Sequence, residues 1–579
     1  MDKKLSELLG SIEHEIYSID GLTYNENTVV INSLEFDSRK VKSGSLFFAL
    51  PGTHINGNEF IPSAIENGAN AIIFESAEGS SLADGNSITN NAFSEELTSK
   101  IKAVCKKTNN IPVFIKVKSS RFAMSPLSAC FYDYPSRKLA VIGVTGTEGK
   151  SSTVSFIWQL LRLCGKKAGF FSTVQYSFGG EAIANPEHQT TPEAPIVQRE
   201  LYEMVQNGCE YAVVESSSHG LSERTNRLGD VEFDCGIFMN VTLEHLEFHG
   251  TYEQYKSDKA NLFRALDKYN HEKTILGEKR MVEPFGIVNL EDPAATYFIH
   301  ATTKSVVGFT TEGKAGKAAA ENALEADALP KIPNNIPYYS ARNIASARFG
   351  IAYTIHAVEG FSHNANTGHL EVKAGVHGAF NAYNITAAII AVSRMTGIKA
   401  QEVCEKCAKL TSVKGRMTIV DEGQPFEVIV DYAHTPSSFE TIFPPVKSRC
   451  TGKMICVFGS GGERDHVKRP LQGEIAAKFC DTVILTDEDP RQEDEMAILN
   501  EIAKGALKDE KMRKGENLLL ITDRKEAIRK AFSIAQKNDI VLLLGKGHEN
   551  SIIYKDRVMP YDEISEAKQA LSEMGFKRG

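Results

Sequence analysis

The segment VIGVTGTEGKSSTVSFIWQLL, residues 141–161, runs from an apolar stretch through a glycine-rich turn into a helical pattern. A strand, turn and helix in that order present backbone N–H groups and a helix N-terminus to a polyphosphate. Gly146 and Gly149 permit close backbone approach, with Thr147 and Ser152 completing the loop. Lys150 is placed to sit against the β- and γ-phosphates, and the Ser151 hydroxyl to ligate Mg²⁺. Val144 stands where the usual pattern G-x-x-x-x-G-K-S/T has its first glycine, so the loop is a variant of that form. ATP binding is the expected chemistry.

Further along, Glu215 ends the apolar run YAVVE, as a magnesium-coordinating carboxylate downstream of a phosphate loop would. An acidic strand end is also a common way to meet solvent, so Glu215 alone is a weak signal. Beyond it lies a denser block, FDCGIFMNVTLEHLEFHGTYEQYKSDKANLF, crowded with His, Glu, Tyr and Lys.

The form T-G-T-x-G-K-S resembles the phosphate loop of the Mur ligases, a superfamily that includes the folylpolyglutamate synthases. The denser block is similar to the family pattern N-x-x-x-D-H-L-D-x-H-G-t-x-x-x-Y-x-x-x-K at Asn240, His245, Leu246, His249, Gly250, Tyr255 and Lys259. Glu244 and Glu247 replace its aspartates. The resemblance implies that His245 ligates a second Mg²⁺ and that Lys259 carries a CO2-derived carbamate, making Ser151, Glu215, His245 and Lys259 the metal set. Lys150, Glu215, His245 and Lys259 are then the catalytic group.

The resemblance covers nearly the whole chain. DSR, Asp37 to Arg39, is similar to the uridine-diphosphate module of the ligases that add the third and later peptide residues, which implies that Ser38 and Arg39 touch the uridine nucleotide. Thr190, Thr191 and Ser217 match the family's muramyl-peptide surface. The family's S-H-x-L-x-Q-x-R continues here as SHGLSERTNRL, which leaves Arg227 and Arg224 as competing contacts to that substrate. By the same resemblance Asn384, Arg416, Asp431 and His434 face ATP, and Arg464, Asp489, Arg491, Gly545 and Glu549 build an amino-acid site.

What this implies is an ATP-dependent acid–amino-acid ligase. It would add a diamino acid to the D-Glu of UDP-MurNAc-L-Ala-D-Glu through an acyl phosphate, with two Mg²⁺ ions, in peptidoglycan precursor synthesis. The alternatives are another ligase of the superfamily, either dipeptide-adding or a folylpolyglutamate synthase, and a non-catalytic phosphate-loop binding protein. The diamino acid stays open between lysine or ornithine and meso-diaminopimelate. Diaminopimelate enzymes carry D-N-P-R where this chain reads Glu488-Asp489-Pro490-Arg491. Asp489 is expected to pair with Arg491 and weaken its grip on a distal carboxylate, which tilts the reading toward lysine or ornithine.

These residues need a frame, and the apolar runs LAVIGVT, EYAVVES, CGIFMN, MICVFG, TVILT and IVLLLG, alternating with helical patterns, supply one. They predict an α/β protein of three domains. Residues 1–136 form a UDP-binding domain, 137–412 a central phosphate-loop domain with a mostly parallel sheet and helices on both faces, and 413–579 a Rossmann-like amino-acid-binding domain. Residues 77–99 and 313–337 read as exposed insertions. The 42% hydrophobic and 24% charged fractions are globular averages, and the net charge of −9 argues against a nucleic-acid binder. The start, MDKKLSELLGSIEHEI, lacks a signal-peptide core, and no stretch reaches membrane-span length, so a cytoplasmic monomer without membrane attachment is expected. Ten cysteines are too sparse for a disulfide framework, and Cys404 and Cys407 read as packing thiols rather than a metal or redox pair.

Overall fold

A computed structural model describes residues 1–19, 22, 28–52, 56–75, 92–186, 189–242, 244, 246–311, 336–347, 350–358 and 369–578. Three large β-sheets organise the described residues, each flanked by helices that its own segment supplies, and three two-stranded ribbons accompany them. The first has the strand order Glu15–Tyr17, Val113–Lys116, Ala71–Phe74, Ser45–Phe48, Ser33–Glu35 and is parallel except at the Glu15–Tyr17 edge. Its central strands are apolar over most of their length because helices cover both faces.

The largest sheet places Ala140–Thr145 between Tyr211–Glu215 and Cys235–Phe238, all parallel. Parallel pairing continues outward to Ala168–Phe171 on one side and through Phe285–Asn289 and Ser305–Thr311 to Tyr338–Ala347 on the other, and antiparallel strands close both edges. Helices Lys150–Leu163 and Asn381–Thr396 share one apolar core on one face, and Ala194–Gln206 and Tyr252–Ala265 share another on the opposite face. The third sheet runs Thr418–Val420, Glu427–Asp431, Ile540–Leu544, Met454–Phe458, Thr482–Leu485, Leu518–Leu520, parallel apart from its first strand. The α/β architecture is therefore the one the alternating pattern predicts. In such sheets ligands collect beyond the carboxyl ends of the strands, where Thr145, Glu215 and Asp431 stand.

The insertion expected at 77–99 needs correction at its C-terminal end. Residues 77–91 lie outside the described ones, but Phe93 and Leu97 are buried and the helix Glu95–Thr108 begins there, N-capped by the Ser94 hydroxyl on the Leu97 N–H. That capping serine with two glutamates in the first turn is a helix start, which marks 94–99 as part of the first layer and not an excursion. The second expected insertion lies outside the described residues up to 335.

Candidate functional site

The phosphate loop is built as its residue types require. Gly149 caps the helix Lys150–Leu163 at φ +83°, a left-handed conformation, and a Cβ there would stand 2.6 Å from Asn384 Oδ1. Asn240 braces the loop from the next strand: its Oδ1 accepts the N–H groups of Thr147 at 3.0 Å and Glu148 at 2.8 Å. The resemblance matched Asn240 without giving it this task. Lys150 Nζ donates to the Thr147 carbonyl at 2.7 Å, so the ammonium lies over the turn where phosphates would dock.

Glu215 is 1% exposed, and its carboxylate accepts from Ser151 Oγ at 3.1 Å, Thr173 N at 2.9 Å and Thr173 Oγ1 at 3.0 Å. A carboxylate and a hydroxyl held together at a phosphate loop are hard oxygen donors suited to Mg²⁺. Lys259 lies on the same face of its helix as Tyr255, one turn earlier. Its Nζ donates to the Gly146 carbonyl at 2.7 Å and sits 4.5 Å from the centre of the Tyr255 ring. Burial, with the Lys150 charge adding to it, holds the Lys259 amine well below the ordinary lysine range. His245 lies outside the described residues. Among the described residues no cluster of three or more His, Cys, Asp or Glu side chains forms a metal site.

A cavity of about 290 Å³ joins these elements, lined by Lys150, Thr190, Thr191, Ser217, Ser218 and Lys259 among others. Arg227 also lines it, with one guanidinium nitrogen 2.9 Å from the Thr191 carbonyl and the other 2.8 Å from Glu193. Arg224 instead turns to Phe248, stacking 4.7 Å over its ring and donating to its carbonyl at 2.5 Å. Of the two competing arginines, Arg227 reaches the cavity. Thr191 Oγ1 donates to the Glu215 carbonyl at 2.9 Å and accepts from Ser217 Oγ at 2.9 Å, tying the predicted peptide surface to the strand that ends at Glu215. A larger depression, about 370 Å³ between Lys167, Tyr176 and Glu181, lies at the edge hairpin and gathers none of these groups.

Ser38 and Arg39 do not line this cavity. Asp37 caps their short 3-10 turn, accepting the Arg39 N–H at 3.0 Å, and pairs with the Arg39 guanidinium at 2.8 Å, leaving the Arg39 side chain 87% exposed.

The third sheet meets the phosphate loop through the turn after Glu427–Asp431, where Thr435 Oγ1 comes within 3.5 Å of Glu148 Oε1. Glu148 is held up to about 7 by burial and by Glu244. Arg416 stacks 4.7 Å over the Tyr432 ring, and its Nε is buried with no partner. Asp431 accepts the N–H groups of Met417 at 2.7 Å and Ala433 at 2.8 Å, so both carboxylate oxygens hold the turn itself. Burial lowers the His434 imidazole to about 4, and its Nδ1 lies 2.9 Å from the Tyr432 carbonyl. Asn384 faces the loop and accepts from Thr153 Oγ1 at 3.2 Å.

In the predicted amino-acid site the expected Asp489–Arg491 pair is not formed. Asp489 Oδ1 accepts from Lys546 Nζ at 2.8 Å and from the Ile553 N–H at 3.0 Å. Arg491 follows Pro490 in a left-handed conformation, φ +56°, with its own N–H on the Ile553 carbonyl. Lys546, which sequence reasoning passed over inside GKGHE, is fully buried between Asp489 and Glu549 Oε2, the latter at 2.5 Å. Although burial opposes its charge, these two carboxylates raise the Lys546 ammonium above the ordinary lysine range. Arg491 Nε and Glu488 Oε2 are buried without partners, and a Cβ at Gly545, φ +98°, would stand 3.0 Å from Glu488 Oε2. Arg464 is exposed, its stem and Glu488 flanking Gly461. Cys404 and Cys407 are free and buried in the central core, with burial pushing both thiols up.

Three family models match in succession: the Mur ligase family catalytic domain over residues 30–118, the Mur ligase middle domain over 144–392 and the Mur ligase glutamate ligase domain over 415–547. The chain is 51% identical to a UDP-N-acetylmuramyl-tripeptide synthetase of Treponema denticola, with 95% of each chain covered. It is 34% identical to a UDP-N-acetylmuramoyl-L-alanyl-D-glutamate–2,6-diaminopimelate ligase of Geobacillus kaustophilus, covering 94% of this chain and 96% of that one. Among solved structures, a 2,6-diaminopimelate ligase superposes with a TM-score of 0.57 at 24% identity over 99% of this chain and all of the other, and MurF ligase from Thermotoga maritima in complex with ADP with 0.55 at 18% over 93% and 97%; both likenesses concern the fold. With a matching model for each of its three large sheets and relatives aligned along nearly its full length, the chain belongs to the Mur ligase family.

Proposed function

We propose that the chain joins a diamino acid to the γ-carboxylate of D-Glu in UDP-MurNAc-L-Ala-D-Glu, converting ATP to ADP and phosphate, in peptidoglycan precursor synthesis. The observation that carries this is the central cavity, where Lys150, Arg227 and Lys259 converge beside the Ser151–Glu215 pair. A carboxylate is a poor electrophile, and transfer of the γ-phosphoryl group makes it an acyl phosphate that an amine can attack. The transfer brings like charges together, so the fixed cations Lys150 and Arg227 in an enclosed site lower its barrier.

Ser151 and Glu215 would hold one Mg²⁺, and His245 with a carbamate on Lys259 the second; bound ions supply charge stabilisation. Carbamate formation needs a neutral amine, and burial, which lowers Lys259 well below the ordinary lysine range, favours that form. Gly146, Thr147, Gly149, Lys150, Ser151, Ser152 and Asn384 serve ATP from the central domain, and Arg416 and His434 from the third. Asp431 serves by holding their turn. Thr190, Thr191, Ser217 and Arg227 hold the muramyl dipeptide, Ser38 and Arg39 its uridine end, and Arg464, Asp489, Arg491, Gly545 and Glu549 frame the diamino acid. The division of labour follows residues 1–136, 137–412 and 413–579, in a monomer acting in the cytoplasm, where ATP is supplied. Among the described residues no helix is long and apolar enough to cross a membrane.

Phosphate release should require UDP-MurNAc-L-Ala-D-Glu together with one of meso-diaminopimelate, lysine or ornithine. Release with a folate and glutamate, and none with the muramyl dipeptide, would overturn the assignment.

A further inference from the structure

Glu193 has no part in the scheme above, yet it is only 9% exposed and stands between two arginines beside the cavity. Its Oε1 accepts from Arg227 Nη2 at 2.8 Å and lies 3.8 Å from Arg121 Nη1. The other terminal nitrogen, Arg227 Nη1, donates to the Thr191 carbonyl at 2.9 Å. Both acceptors for Arg227 thus belong to one short segment, Thr191-Pro192-Glu193, and the Pro192 ring fixes a backbone dihedral between them. The segment is itself anchored at both ends. Thr191 Oγ1 donates to the Glu215 carbonyl at 2.9 Å, and the Glu193 carbonyl accepts the N–H groups of Ile196 at 2.9 Å and Val197 at 3.1 Å. Glu193 occupies the N-cap position of the helix Ala194–Gln206, but its side chain makes no capping hydrogen bond there. A capping side chain would turn back onto the free N–H groups of the first turn. This one turns to a guanidinium instead.

An arginine side chain has many rotamers, and a ligand that has to fix one loses affinity in doing so. Held at both terminal nitrogens, Arg227 is fixed before anything binds. Its Nε is buried with no partner, so the cradle leaves that donor unspent beside the cavity that Arg227 lines. Arg121 supplies the competing reading, in which Glu193 clamps the helix Ser120–Phe131 in place. Distance decides between the two: 2.8 Å is a charge-assisted hydrogen bond, whereas 3.8 Å is a Coulomb contact only, weakened by water around an arginine whose side chain is 29% exposed. We propose that Glu193 is a positioning residue of the muramyl-dipeptide site, aiming Arg227 at the cavity, an inference that rests on the ligase reading above. Arg227 touches the substrate; Glu193 acts through it.

A double-mutant cycle on the KM for UDP-MurNAc-L-Ala-D-Glu tests the role. Glu193→Ala should raise that KM about five- to tenfold, while kcat and the KM for ATP stay within about threefold of the native enzyme. Added to Arg227→Ala, the same substitution should raise the KM less than about twofold further, because no guanidinium is left to aim. Added to Arg121→Ala, it should still cost its full factor. Glu193→Gln, which keeps the side chain's shape, carries the cycle if Glu193→Ala does not fold. An equal factor with and without Arg227, a factor that vanishes with Arg121, a KM for ATP that rises in step, or no rise at all would each overturn the role. A native enzyme that makes product from no muramyl dipeptide would instead remove the ligase reading beneath it.

Discussion

Lys546 Nζ lies 2.8 Å from Asp489 Oδ1 and 2.5 Å from Glu549 Oε2, so the charge that distinguishes this chain from the D-N-P-R pattern is held by a buried lysine and not by Arg491. Under the proposed function, Arg491 is then free of Asp489 to meet a substrate carboxylate. Replacing Asp489 with Asn is therefore expected to change the ratio of kcat/KM for meso-diaminopimelate over lysine by less than about threefold, since a partly neutralised charge acts weakly on its surroundings. A tenfold rise in the ratio would show that the Asp489 charge reaches the substrate. Lys546→Met leaves two carboxylates without their partner and should destabilise the fold by about 3–5 kcal/mol, read by denaturant unfolding.

Lys150→Ala should abolish ATP-dependent phosphate release while leaving the thermal transition in place. The side chain is half-buried and reaches only the Thr147 carbonyl of its own loop, so it serves bound phosphate and not the core. Turnover within about threefold of the native enzyme would remove the phosphate-loop assignment.

Lys259→Ala should be inactive and partly restored by acetate, whose carboxylate replaces the oxygens of a carbamate. The native enzyme incubated with ¹³C-labelled bicarbonate should show a carbamate carbon resonance that the variant lacks. The direction of the shift favours it: burial and the Lys150 charge lower the Lys259 amine well below the ordinary lysine range, which raises the share of the neutral form that can react with CO2.

Arg227→Ala should raise KM for the muramyl dipeptide at least tenfold, because the guanidinium lines the cavity between Thr191 and Glu193. Arg224→Ala, which removes a stack on Phe248, should change KM less than about threefold. The reverse ranking would assign the family's arginine to Arg224.

Asp487 gives a pH dependence of stability. It is 5% exposed, and burial raises its carboxyl to about 7 against the opposing hydrogen bond from the Tyr554 hydroxyl at 3.2 Å. The folded chain keeps this proton up to near pH 7 whereas the unfolded chain loses it near pH 4, so between those values folding takes up a proton and stability falls as pH rises. Asp487→Asn removes the penalty. Its stabilising effect should be larger at pH 8 than at pH 5 by about 2 kcal/mol, measured by denaturant unfolding at each pH.

The parts legible in the sequence are those in which neighbours along the chain are also neighbours in space. A strand, a glycine-rich turn and a helix fix where Gly149, Lys150 and Ser151 point, because a helix start aligns consecutive N–H groups whatever surrounds it. Tyr255 and Lys259 are four residues apart on one helix and so share a face in any fold that keeps the helix. The alternation of apolar runs with helical segments likewise determines an α/β chain, since each strand buried on both faces must be apolar throughout.

Sheet order and layer packing decided the rest. Asn240 and Asn384 reach the phosphate loop from the next strand and from a helix on the far side of the chain, contacts that no local spacing encodes. Asp489 neighbours Arg491 in sequence, yet the two do not pair and the parallel sheet brings Lys546 to Asp489 from 57 residues away. Arg224 and Arg227 lie three apart, and only the packing of Phe248 against one and of Thr191 and Glu193 against the other says which faces the cavity. Ser218, His249 and Asp258 come from three segments and come within hydrogen-bond distance of one another only when their helices pack.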